Sequence, residues 1–379
     1  MQGNVLGQSG SNAGLNIFIQ PLEPSKKDGI WIKTDEKYKY DKVEMVSNIE
    51  DRYTKLDDIP YKFYHGSAVT IGTDIYLLGG RGQDSSSYYR NNYKYDMLIN
   101  EYTQLAKIPY NFFDSSAVVI GTDIYLLGSG FSGDGNKNYK YDTITNEYTQ
   151  LANIPYEFYN GSAVAVGTDI YLLGGSYNSK RYNYKYDILT NKYTKLEDIP
   201  YELNGASTVA IGTDIYLLGS SSSNNYRKNY KYDTLTNEYT QLEDIPYDFY
   251  NGSAVAVGTD IYLLGGSYNS KRYNYKYDIL TNKYTKLEDI PYELNGASTV
   301  AIGIDIYLLG GSGDFGFYNY KYKSYIEDRI ISIIIQENKL NTFLDDILKI
   351  YFSDVIVCDN YSSKDYPVYY GNGTQWIEI

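Results

Sequence analysis

Short runs of small, apolar or aromatic residues, separated by turn residues, recur along most of this chain. Within residues 161–200, small residues at 162–166 precede a Gly-Thr-Asp turn, an apolar run at 170–173, an alternation of Tyr with Asn or Lys at 182–186, and a last short run at 192–196. Enrichment in β-branched and aromatic residues with a period of two is typical of strands. The pattern therefore predicts a unit of four antiparallel strands.

This unit is repeated six times. The Pro of its Ile-Pro-Tyr segment recurs at steps of 49, 46, 45, 46 and 45 residues, and residues 154–219 return at 245–310 with only two differences. A fixed period of this size predicts stacked repeats, and the near-identity indicates the duplication of a two-unit block. The segment Ile-Tyr-Leu-Leu-Gly marks the copies and begins at Ile75, Ile124, Ile170, Ile215, Ile261 and Ile306.

The four strands differ in chemistry as the strands of a propeller blade do. The first consists of small residues, which suit a crowded axis, and the second is apolar on both faces, as a strand between neighbouring sheets has to be. The third alternates Tyr with polar residues, which is expected of a strand near the rim. Because each large buried side chain contributes roughly 1.5–3 kcal/mol, repetition of the second strand is expected to stabilise this Gly- and Asn-rich chain.

Three marks make the unit resemble the kelch repeat. These are a Gly pair after the second strand, such as Gly174-Gly175, a Tyr-Asp pair at the end of the third, such as Tyr186-Asp187, and an aromatic residue in the fourth. The resemblance covers about residues 53–322 and implies an all-β fold: a six-bladed kelch-type β-propeller with small N- and C-terminal flanking segments. Where the family usually has Trp in the fourth strand, this chain has Tyr102, Tyr148, Tyr193, Tyr239 and Tyr284.

The order of the strands predicts how the ring closes. Residues 53–56 form an orphan fourth strand before the first unit, whereas the sixth unit ends at Tyr318–Tyr322 without one. Pairing the two would close the ring and remove an exposed sheet edge. Residues 37–41 also have the pattern of a third strand, so the sequence leaves open which segment takes the third place in the closing blade.

The segments outside the repeats are different in kind. Residues 16–35 contain two strand-like runs around a turn rich in Pro, Lys, Asp and Gly, and the chain ends in residues 367–379. These stretches resemble the opening and the ending of tail-fibre proteins of phages and prophages of low-GC Gram-positive bacteria. We therefore divide the chain into an N-terminal attachment segment, the propeller, and a C-terminal segment that could pack with the N-terminus: residues 1–52, 53–322 and 323–379.

The composition excludes several classes of function. With 34 Lys and Arg against 47 Asp and Glu, the net charge of −13 argues against binding to nucleic acid. One His and one Cys exclude a multi-histidine metal site and the copper site of kelch galactose oxidases, which needs two His and a Cys-linked Tyr. No apolar run is long enough to span a membrane, and the N-terminus lacks the pattern of a secretory signal. We therefore expect no catalytic residue, no metal and no cofactor, although the metal-free kelch sialic-acid mutarotases stay open.

Two kinds of polar residue could have a chemical role, and both have a plainer interpretation. His65 lies just before the first strand, and we interpret it as a loop-surface residue because the positions aligned with it in other units hold Asp114, Asn160, Asn204, Asn251 and Asn295. The Asp of each Gly-Thr-Asp turn could contribute to a ring of carboxylates around a cation, but turn chemistry alone explains Asp there. Those residues are Asp74, Asp123, Asp169, Asp214 and Asp260, with Asp305 after Ile304.

A binding surface is predicted on one face of the propeller. The loops after the second strands and the loops between blades lie on the same face, and functional residues commonly lie on loops over a rigid scaffold. Aromatic faces stack on sugar rings, and Arg donates hydrogen bonds to hydroxyl and acidic groups. Inter-blade aromatics such as Phe63, Phe112 and Phe158 either join this surface or pack between blades. The candidate ligand-binding residues are Tyr88, Tyr89, Arg90, Tyr177, Arg181, Tyr226, Arg227, Tyr268, Arg272 and Phe315.

Three functions are compatible with these observations. The first is a receptor-binding protein in the tail of a virion or of a prophage-derived particle, which would bind a cell-surface glycan or protein receptor through one propeller face and other tail components through its flanks. The second is a cytoplasmic kelch adaptor for a protein partner. The third is an enzyme that acts on sialic acid or a related sugar. The resemblance of the flanks favours the first.

Overall fold

The computed structural model describes residues 52–82, 90–175, 180–222, 224–266 and 272–324, together with short strands in the two flanks. The chain divides into two compact units. One is Asp51–Tyr325, and the other combines Met1–Glu50 with Ile326–Ile379.

The unit formed by the flanks contains a five-stranded sheet to which both ends of the chain contribute. Asp28–Lys33 lies at its centre and pairs in parallel with Ile17–Gln20 and antiparallel with Val368–Asn372. Val5–Leu6 and Trp376–Glu378 form the two edges. A separate antiparallel pair joins Val43–Met45 to Ile333–Ile335.

Asp51–Tyr325 is a closed ring of six four-stranded antiparallel sheets, which confirms the predicted six-bladed all-β propeller. In every blade the strands follow one another from the axis to the rim. The first strands are Ser67–Ile71, Ser116–Ile120, Ser162–Val166, Ser207–Ile211, Ser253–Val257 and Ser298–Ile302. The second strands are Asp74–Leu78, Asp123–Leu127, Asp169–Leu173, Asp214–Leu218, Asp260–Leu264 and Asp305–Leu309.

The outer half of each blade repeats with the same regularity. The third strands are Asn92–Asp96, Asn138–Asp142, Asn183–Asp187, Asn229–Asp233, Asn274–Asp278 and Asn319–Lys323. The fourth strands are Glu101–Gln104, Glu147–Gln150, Lys192–Lys195, Glu238–Gln241 and Lys283–Lys286, with Tyr53–Lys55 in blade six. One short 3₁₀ helix, Gly313–Phe317, follows the last second strand.

The burial of the strands follows the chemistry that the sequence predicts. Ile75, Leu77 and Leu78 of a second strand are completely buried, because neighbouring sheets cover both faces. Each first strand contacts the first strands of both neighbouring blades, and Ser298–Ile302 contacts Ser67–Ile71 across the closure. The core is therefore a continuous annulus of side chains between blades.

The N-terminal part of the propeller completes the last blade. Tyr53–Lys55 pairs with Asn319–Lys323, with Tyr53 opposite Tyr322 and Lys55 opposite Tyr320. The segment at the end of the sixth unit is thus the third strand of the closing blade, while residues 37–41 lie outside the described residues. The closure pairs the outer edge of Asn319–Lys323, which would otherwise be exposed.

Polar side chains connect the outer strands of adjacent blades. The Asn that begins each third strand is buried, and its Nδ2 donates to the hydroxyl of the fourth-strand Tyr in the next blade. Such a pair gives the buried amide nitrogen of the Asn an acceptor. The bonds, 2.8–2.9 Å long, join Asn92 to Tyr148, Asn138 to Tyr193, Asn183 to Tyr239, Asn229 to Tyr284, Asn274 to Tyr53 and Asn319 to Tyr102.

The Gly after each second strand allows the next blade to approach. Gly79 has a φ of +66°, and a Cβ on it would lie 1.9 Å from the carbonyl oxygen of Phe112 in the following inter-blade loop. A side chain at this position would therefore separate two blades. This contact explains the first Gly of the kelch-like Gly pair.

The propeller has two faces of different construction. The face that carries the inter-blade loops and the loops after the second strands is called here the loop face. The opposite face, called the turn face, carries the two-residue hairpins between first and second strands and the turns between third and fourth strands. The chain enters the ring at Arg52 and leaves it at Ser324, both on the turn face, where the amide of Lys323 donates to the carbonyl of Arg52 over 3.0 Å.

Candidate functional site

Six residues form a closed ring of backbone hydrogen bonds around the axis on the loop face. Each lies two residues before a first strand and has a left-handed backbone, with φ between +51° and +62°. Each amide donates to the carbonyl of the equivalent residue in the preceding blade, over 2.7–3.0 Å, and the amide of the first donates to the carbonyl of the last. The members of this axial ring are His65, Asp114, Asn160, Gly205, Asn251 and Gly296.

The axial ring corrects the sequence alignment around His65. The predicted equivalents Asn204 and Asn295 are wrong by one residue, because Gly205 and Gly296 make the ring hydrogen bonds in blades four and six. Asn and Gly both adopt the left-handed backbone readily, so residue type did not distinguish the two positions. The interpretation of His65 as a loop-surface residue is corrected as well, since its side chain is 14% exposed and points to the axis.

A layer of serines lies beneath the axial ring. The Ser that opens a first strand accepts, through Oγ, the amide of the next blade's first strand at five of the six junctions, over 3.0–3.2 Å. At the remaining junction the hydroxyl of Ser207 donates instead to the carbonyl of Gly252 over 3.1 Å. Together with the axial ring, four of these serines, Ser67, Ser116, Ser162 and Ser298, line a small chamber of about 170 Å³. The axis is therefore polar and held by backbone geometry.

A larger cavity opens above the axial ring and is called here the axial cup. Its volume is about 510 Å³, within the range of small-molecule sites in proteins. Inter-blade loops and the loops after second strands supply its walls. The lining residues are Tyr64, His65, Arg81, Asp114, Asn160, Asn204, Ser221, Tyr250, Asn251, Asn295 and Ser312.

One side of the cup, which blades one and two supply, is charged. Nδ1 of His65 lies 2.5 Å from Oδ1 of Asp114, and both side chains are mostly buried. The guanidinium of Arg81 lies 5.3 Å from the ring centre of Tyr64 and 5.9 Å from that of Phe113, with Nη1 at 4.0 Å from Oδ2 of Asp114. This charged sector places one imidazole, one carboxylate and one guanidinium within reach of one ligand group.

The other two thirds of the cup are neutral. Blades three and four and blades five and six are the duplicated blocks, so their contributions repeat. Nδ2 of Asn204 donates to the carbonyl of Gly175 over 2.9 Å, and its counterpart Asn295 donates to the carbonyl of Gly266 over 3.0 Å. Asn160 and Asn251 are the corresponding ring residues of these neutral sectors. Their amides offer both donors and acceptors.

None of the six predicted candidate residues that the structure describes lies in the lining of the cup. Nε of Arg181 and of Arg272 donates to the carbonyls of Ile199 and Ile290, each over 2.7 Å, in the following inter-blade segment. Arg90 makes the same bond to Ile108, and Arg227 contacts the carbonyl of Pro246 and lies 3.8 Å from Asp248. These arginines are exposed, but each has one donor bound to the scaffold. Tyr88, Tyr89, Tyr177 and Tyr268 lie outside the described residues.

The predicted aromatic residues have two different environments. The ring of Tyr226 lies 5.4 Å from that of Tyr250, which lines the cup, so Tyr226 adjoins the cavity. Phe315 packs 5.7 Å from Tyr292 in the outer part of blade six. The inter-blade residues Phe63, Phe112, Phe158 and Phe249 are completely buried. Those four pack between blades, which was the alternative to a place on the binding surface.

The aspartates of the Gly-Thr-Asp turns each lie beside a lysine of the adjacent third strand. Nζ of Lys140, for example, is 3.1 Å from Oδ2 of Asp123. The same pair recurs in all six blades, at 2.9–3.5 Å. These ion pairs give each carboxylate a cationic partner within its own blade. Within the described ranges, no group of three or more His, Cys, Asp or Glu is placed to hold a metal ion.

The sequence contains a signal for the charged sector. Each first-strand Ser lies seven residues after the Pro of Ile-Pro-Tyr, so counting back from that Ser identifies the ring position in every unit. Such a count shows His and Asp in the first two units and only Asn or Gly in the other four. The departure from the repeat marks the functional candidate, whereas residue type alone concealed it.

A closed six-bladed ring of this construction, with a cup at its axis, defines a six-bladed β-propeller. The profile of the KLHDC2/KLHL20/DRC7 Kelch-repeats domain matches residues 64–266, and that of the Kelch motif matches residues 249–291. The chain therefore belongs to the kelch-repeat family. Kelch propellers commonly have binding or adaptor roles and commonly bind protein partners.

Solved structures agree with this assignment of the fold. The structure described as that of YjhT has a TM-score of 0.60 and 15% identity with this chain, and it covers 70% of this chain and 95% of its own. At that identity the likeness supports the fold alone. No curated protein sequence matches the chain significantly. Within the part that the structure describes, no helix is long and apolar enough to cross a membrane.

Proposed function

We propose that this chain is a non-enzymatic receptor-binding protein that holds a host cell-surface glycan in the axial cup. The observation that carries the proposal is the composition of the cup. Its walls combine the aromatic rings of Tyr64 and Tyr250 with amides and hydroxyls, and this mixture suits a ligand with apolar faces and many hydroxyl groups.

The rigidity of the cup supports the same proposal. The axial ring fixes the backbone of every inter-blade contribution, so a ligand would meet a surface that is already ordered. Preorganisation of this kind lowers the entropic cost of binding. The charged sector would bind one distinctive group of the glycan, while the neutral sectors would bind its common hydroxyls.

The assignment to a tail fibre rests on the flanks. Their resemblance to tail-fibre segments supports a location in the tail of a virion or of a prophage-derived particle, with the flanks bound to other tail components. Because the chain enters and leaves the propeller on the turn face, the cup lies on the face without these connections. Detection of the chain in purified particles by mass spectrometry tests the location separately from the binding.

The neutral sectors supply the sharpest test of the cup. The double variant Asn160→Gly with Asn251→Gly removes two amides, and it keeps the left-handed backbone because Gly occupies the same positions in blades four and six. We expect binding of the full chain to intact cells and to purified wall polysaccharide to weaken by at least about tenfold. The control is Asn153→Ala, at an exposed residue outside the cup. Equal binding by the double variant and the control would remove the cup from the proposal.

The outer loop residues have a secondary place in the proposed surface. Tyr226 extends the aromatic wall beyond Tyr250. Replacing Arg181 or Arg272 would also remove a hydrogen bond to the scaffold, so loss of binding in such variants would not identify a ligand contact. The cup variants are therefore the more direct experiment.

Two other functions each have an observation in their favour. Membership of the kelch family favours a protein adaptor, which predicts a stable partner in pull-downs from lysate and no binding to glycans. The cluster of His65, Asp114 and Arg81 in a cup favours an enzyme on sialic acid or a related sugar. Anomer exchange of the free sugar measured by NMR decides the second case, because a binding protein leaves the uncatalysed rate unchanged.

A further inference from the structure

The turn face carries a ring of exposed aliphatic side chains, at least one in each blade, and blade one has a second, Ile99, at 62% exposure. In five blades the residue lies in the turn between the third and fourth strands and is 79–82% exposed. In blade six that turn is absent, and Ile304 of the first hairpin, at 53% exposure, is the aliphatic residue beside the gap. The members of this turn-face ring are Leu98, Ile144, Leu189, Leu235, Leu280 and Ile304.

The geometry of the turn holds these side chains in solvent. Oδ1 of Asp142, at the end of a third strand, accepts the amides of Ile144 and Thr145 over 2.9 and 3.0 Å. The Asp side chain thus closes the turn through these hydrogen bonds. The turn itself therefore does not require an aliphatic residue two positions after the Asp, where Ile144 lies. The turns of blades one and two lie outside the duplicated blocks. Both blades nevertheless have an aliphatic residue at this turn position, Leu98 and Ile144.

The change at residue 304 also adds to the apolar character of this face. Residues 245–310 repeat residues 154–219 with two differences, and one of them replaces Thr213 by Ile304. The carbonyl of Thr213 accepts hydrogen bonds from Thr234, and the carbonyl of Ile304 accepts the same bonds from Ser324. The backbone contacts are therefore alike and do not require Ile in place of Thr. The substitution puts an aliphatic residue in the only blade without a turn between its third and fourth strands.

Charged residues surround the ring in a definite order. The first residue of the fourth strand lies beside each turn, and in blade six the pairing of Tyr53 with Tyr322 gives Arg52 that position. Five of the six are exposed, and Arg52 is half-buried. From blade one to blade six they are Glu101, Glu147, Lys192, Glu238, Lys283 and Arg52, three acidic and three basic.

We propose that the turn face binds the turn face of a second copy of this chain. A two-fold axis in the plane of the disc brings each blade against one blade of the other copy. Among the six such dockings, the order of charges allows one in which every pair is opposite. It places Glu101 opposite Arg52, Glu147 opposite Lys283, and Lys192 opposite Glu238.

The apolar and charged groups have separate tasks in this interface. The turn aspartates add like charge to the same face in five blades, so the aliphatic ring supplies most of the affinity. Charge pairs at the edge select the rotational position, because like charges oppose the other dockings. Both axial cups remain open, since they lie on the opposite faces.

A charge swap tests the docking in the full chain. The oligomeric mass is measured over a concentration series by sedimentation or by light scattering, with circular dichroism to verify the fold. The intact chain is expected to dimerise, and Lys192→Glu to weaken dimerisation by at least about tenfold by opposing two pairs of like charge. Lys192→Glu with Glu238→Lys restores opposite charges and is expected to recover the dimer.

The matched control introduces the same two charge changes, but at positions that do not face each other in the proposed dimer. Lys192→Glu with Glu147→Lys has the same composition as the restoring variant, but it leaves two kinds of like-charge pair. The new carboxylate at position 192 faces Glu238, and the new ammonium at position 147 faces Lys283. We expect this control to dimerise no better than Lys192→Glu alone.

A third variant tests the apolar part of the interface. Leu189→Thr with Leu280→Thr removes part of the aliphatic ring from two exposed turns. It should weaken the dimer without any change of charge, because less apolar surface leaves water when the two faces meet.

Three results would overturn the proposal. The first is a monomer at the highest soluble concentration of the intact chain. The second is an oligomer whose stability none of these variants changes, because its interface would then lie elsewhere. The third is equal recovery of the dimer by the two charge-swapped variants, which would exclude the proposed pairing of blades.

Discussion

Two parts of the axial ring have the same backbone and different side chains. In blades three to six, the ring residues are Asn or Gly, and the cup wall is made of amides, hydroxyls and one Tyr. In blades one and two the ring residues are His65 and Asp114, and Arg81 lies above them. The left-handed φ values and the hydrogen bonds around the axis are nevertheless alike in all six blades.

This comparison separates what the scaffold needs from what the cup adds. The scaffold needs a residue that tolerates positive φ, and Gly satisfies that need in two blades. A His beside an Asp is therefore not a requirement of folding. The requirements of the fold do not explain the side chains of the charged sector. We therefore expect this sector to determine which ligand the cup binds.

Alkaline unfolding has the largest expected effect and tests whether both parts share one scaffold. Burial raises the pKa of an equivalent tyrosine in four successive blades to about 12: Tyr141, Tyr186, Tyr232 and Tyr277. The unfolded chain ionises near 10, so this stability is complete below pH 10 and is lost as the pH rises towards 12. We expect one cooperative transition in near-UV circular dichroism, together with tyrosinate absorbance. Two separate transitions would contradict a common scaffold.

A change in the core between blades should have the next largest effect. Phe158 is completely buried, and the equivalent residue is Leu203 in blade four. Phe158→Ala is expected to lower the free energy of unfolding by about 3–5 kcal/mol, and Phe158→Leu by less than about 1.5 kcal/mol. Denaturant unfolding measures both, and Phe63→Ala tests the charged side of the ring. A much smaller loss for Phe63→Ala would show that the two sides are packed differently.

A ring glycine should be sensitive for two reasons. Gly296 has a φ of +62°, and a Cβ there would lie 2.5 Å from Cε2 of Tyr64 and 2.9 Å from Nε2 of His65. Gly296→Ala is therefore expected to cost about 1–3 kcal/mol, measured by thermal unfolding. Gly303→Ala is the matched control, because its φ is also +62° while its surroundings are open. Equal losses of stability in both variants would show that the positive φ alone causes the loss, and that the steric contact with Tyr64 and His65 does not contribute.

The smallest effect on stability is expected where the two parts of the ring differ most. His65→Asn with Asp114→Asn gives the charged sector the amides that blades three and five already have. We expect the free energy of unfolding to change by less than about 1 kcal/mol, and glycan binding to be altered. A large loss of stability with unchanged binding would mean that the charged sector serves the fold.

The fold could be predicted from the sequence because the same pattern of strands and turns occurs in six copies. Six apolar second strands, six hairpins and an orphan strand at residues 53–56 agree with one closed ring. The competition between residues 37–41 and Tyr318–Tyr322 could not be decided in this way, since both have the alternation of a third strand. Pairing with Tyr53–Lys55 identifies the second of these segments.

The site was harder to predict because it depends on position around the axis. Loop composition directed attention to Arg181 and Arg272, whose donors bind the backbone of the next blade. His65 and Asp114 are 49 residues apart, and their contact exists only because adjacent ring residues are neighbours in the closed propeller. No local pattern reports such a contact, although departures from a repeat can indicate where to search.

Closure by an N-terminal strand also affects how the protein is made. Tyr53–Lys55 leaves the ribosome before any blade exists, and its partner Asn319–Lys323 is translated last in the propeller. Blades one to five can each form as they emerge, whereas the sixth has to wait for a contact that spans nearly the whole domain. Translation that stops before Asn319 would thus yield an open chain of blades with an unsealed edge, a form that cells remove by proteolysis or lose to aggregation.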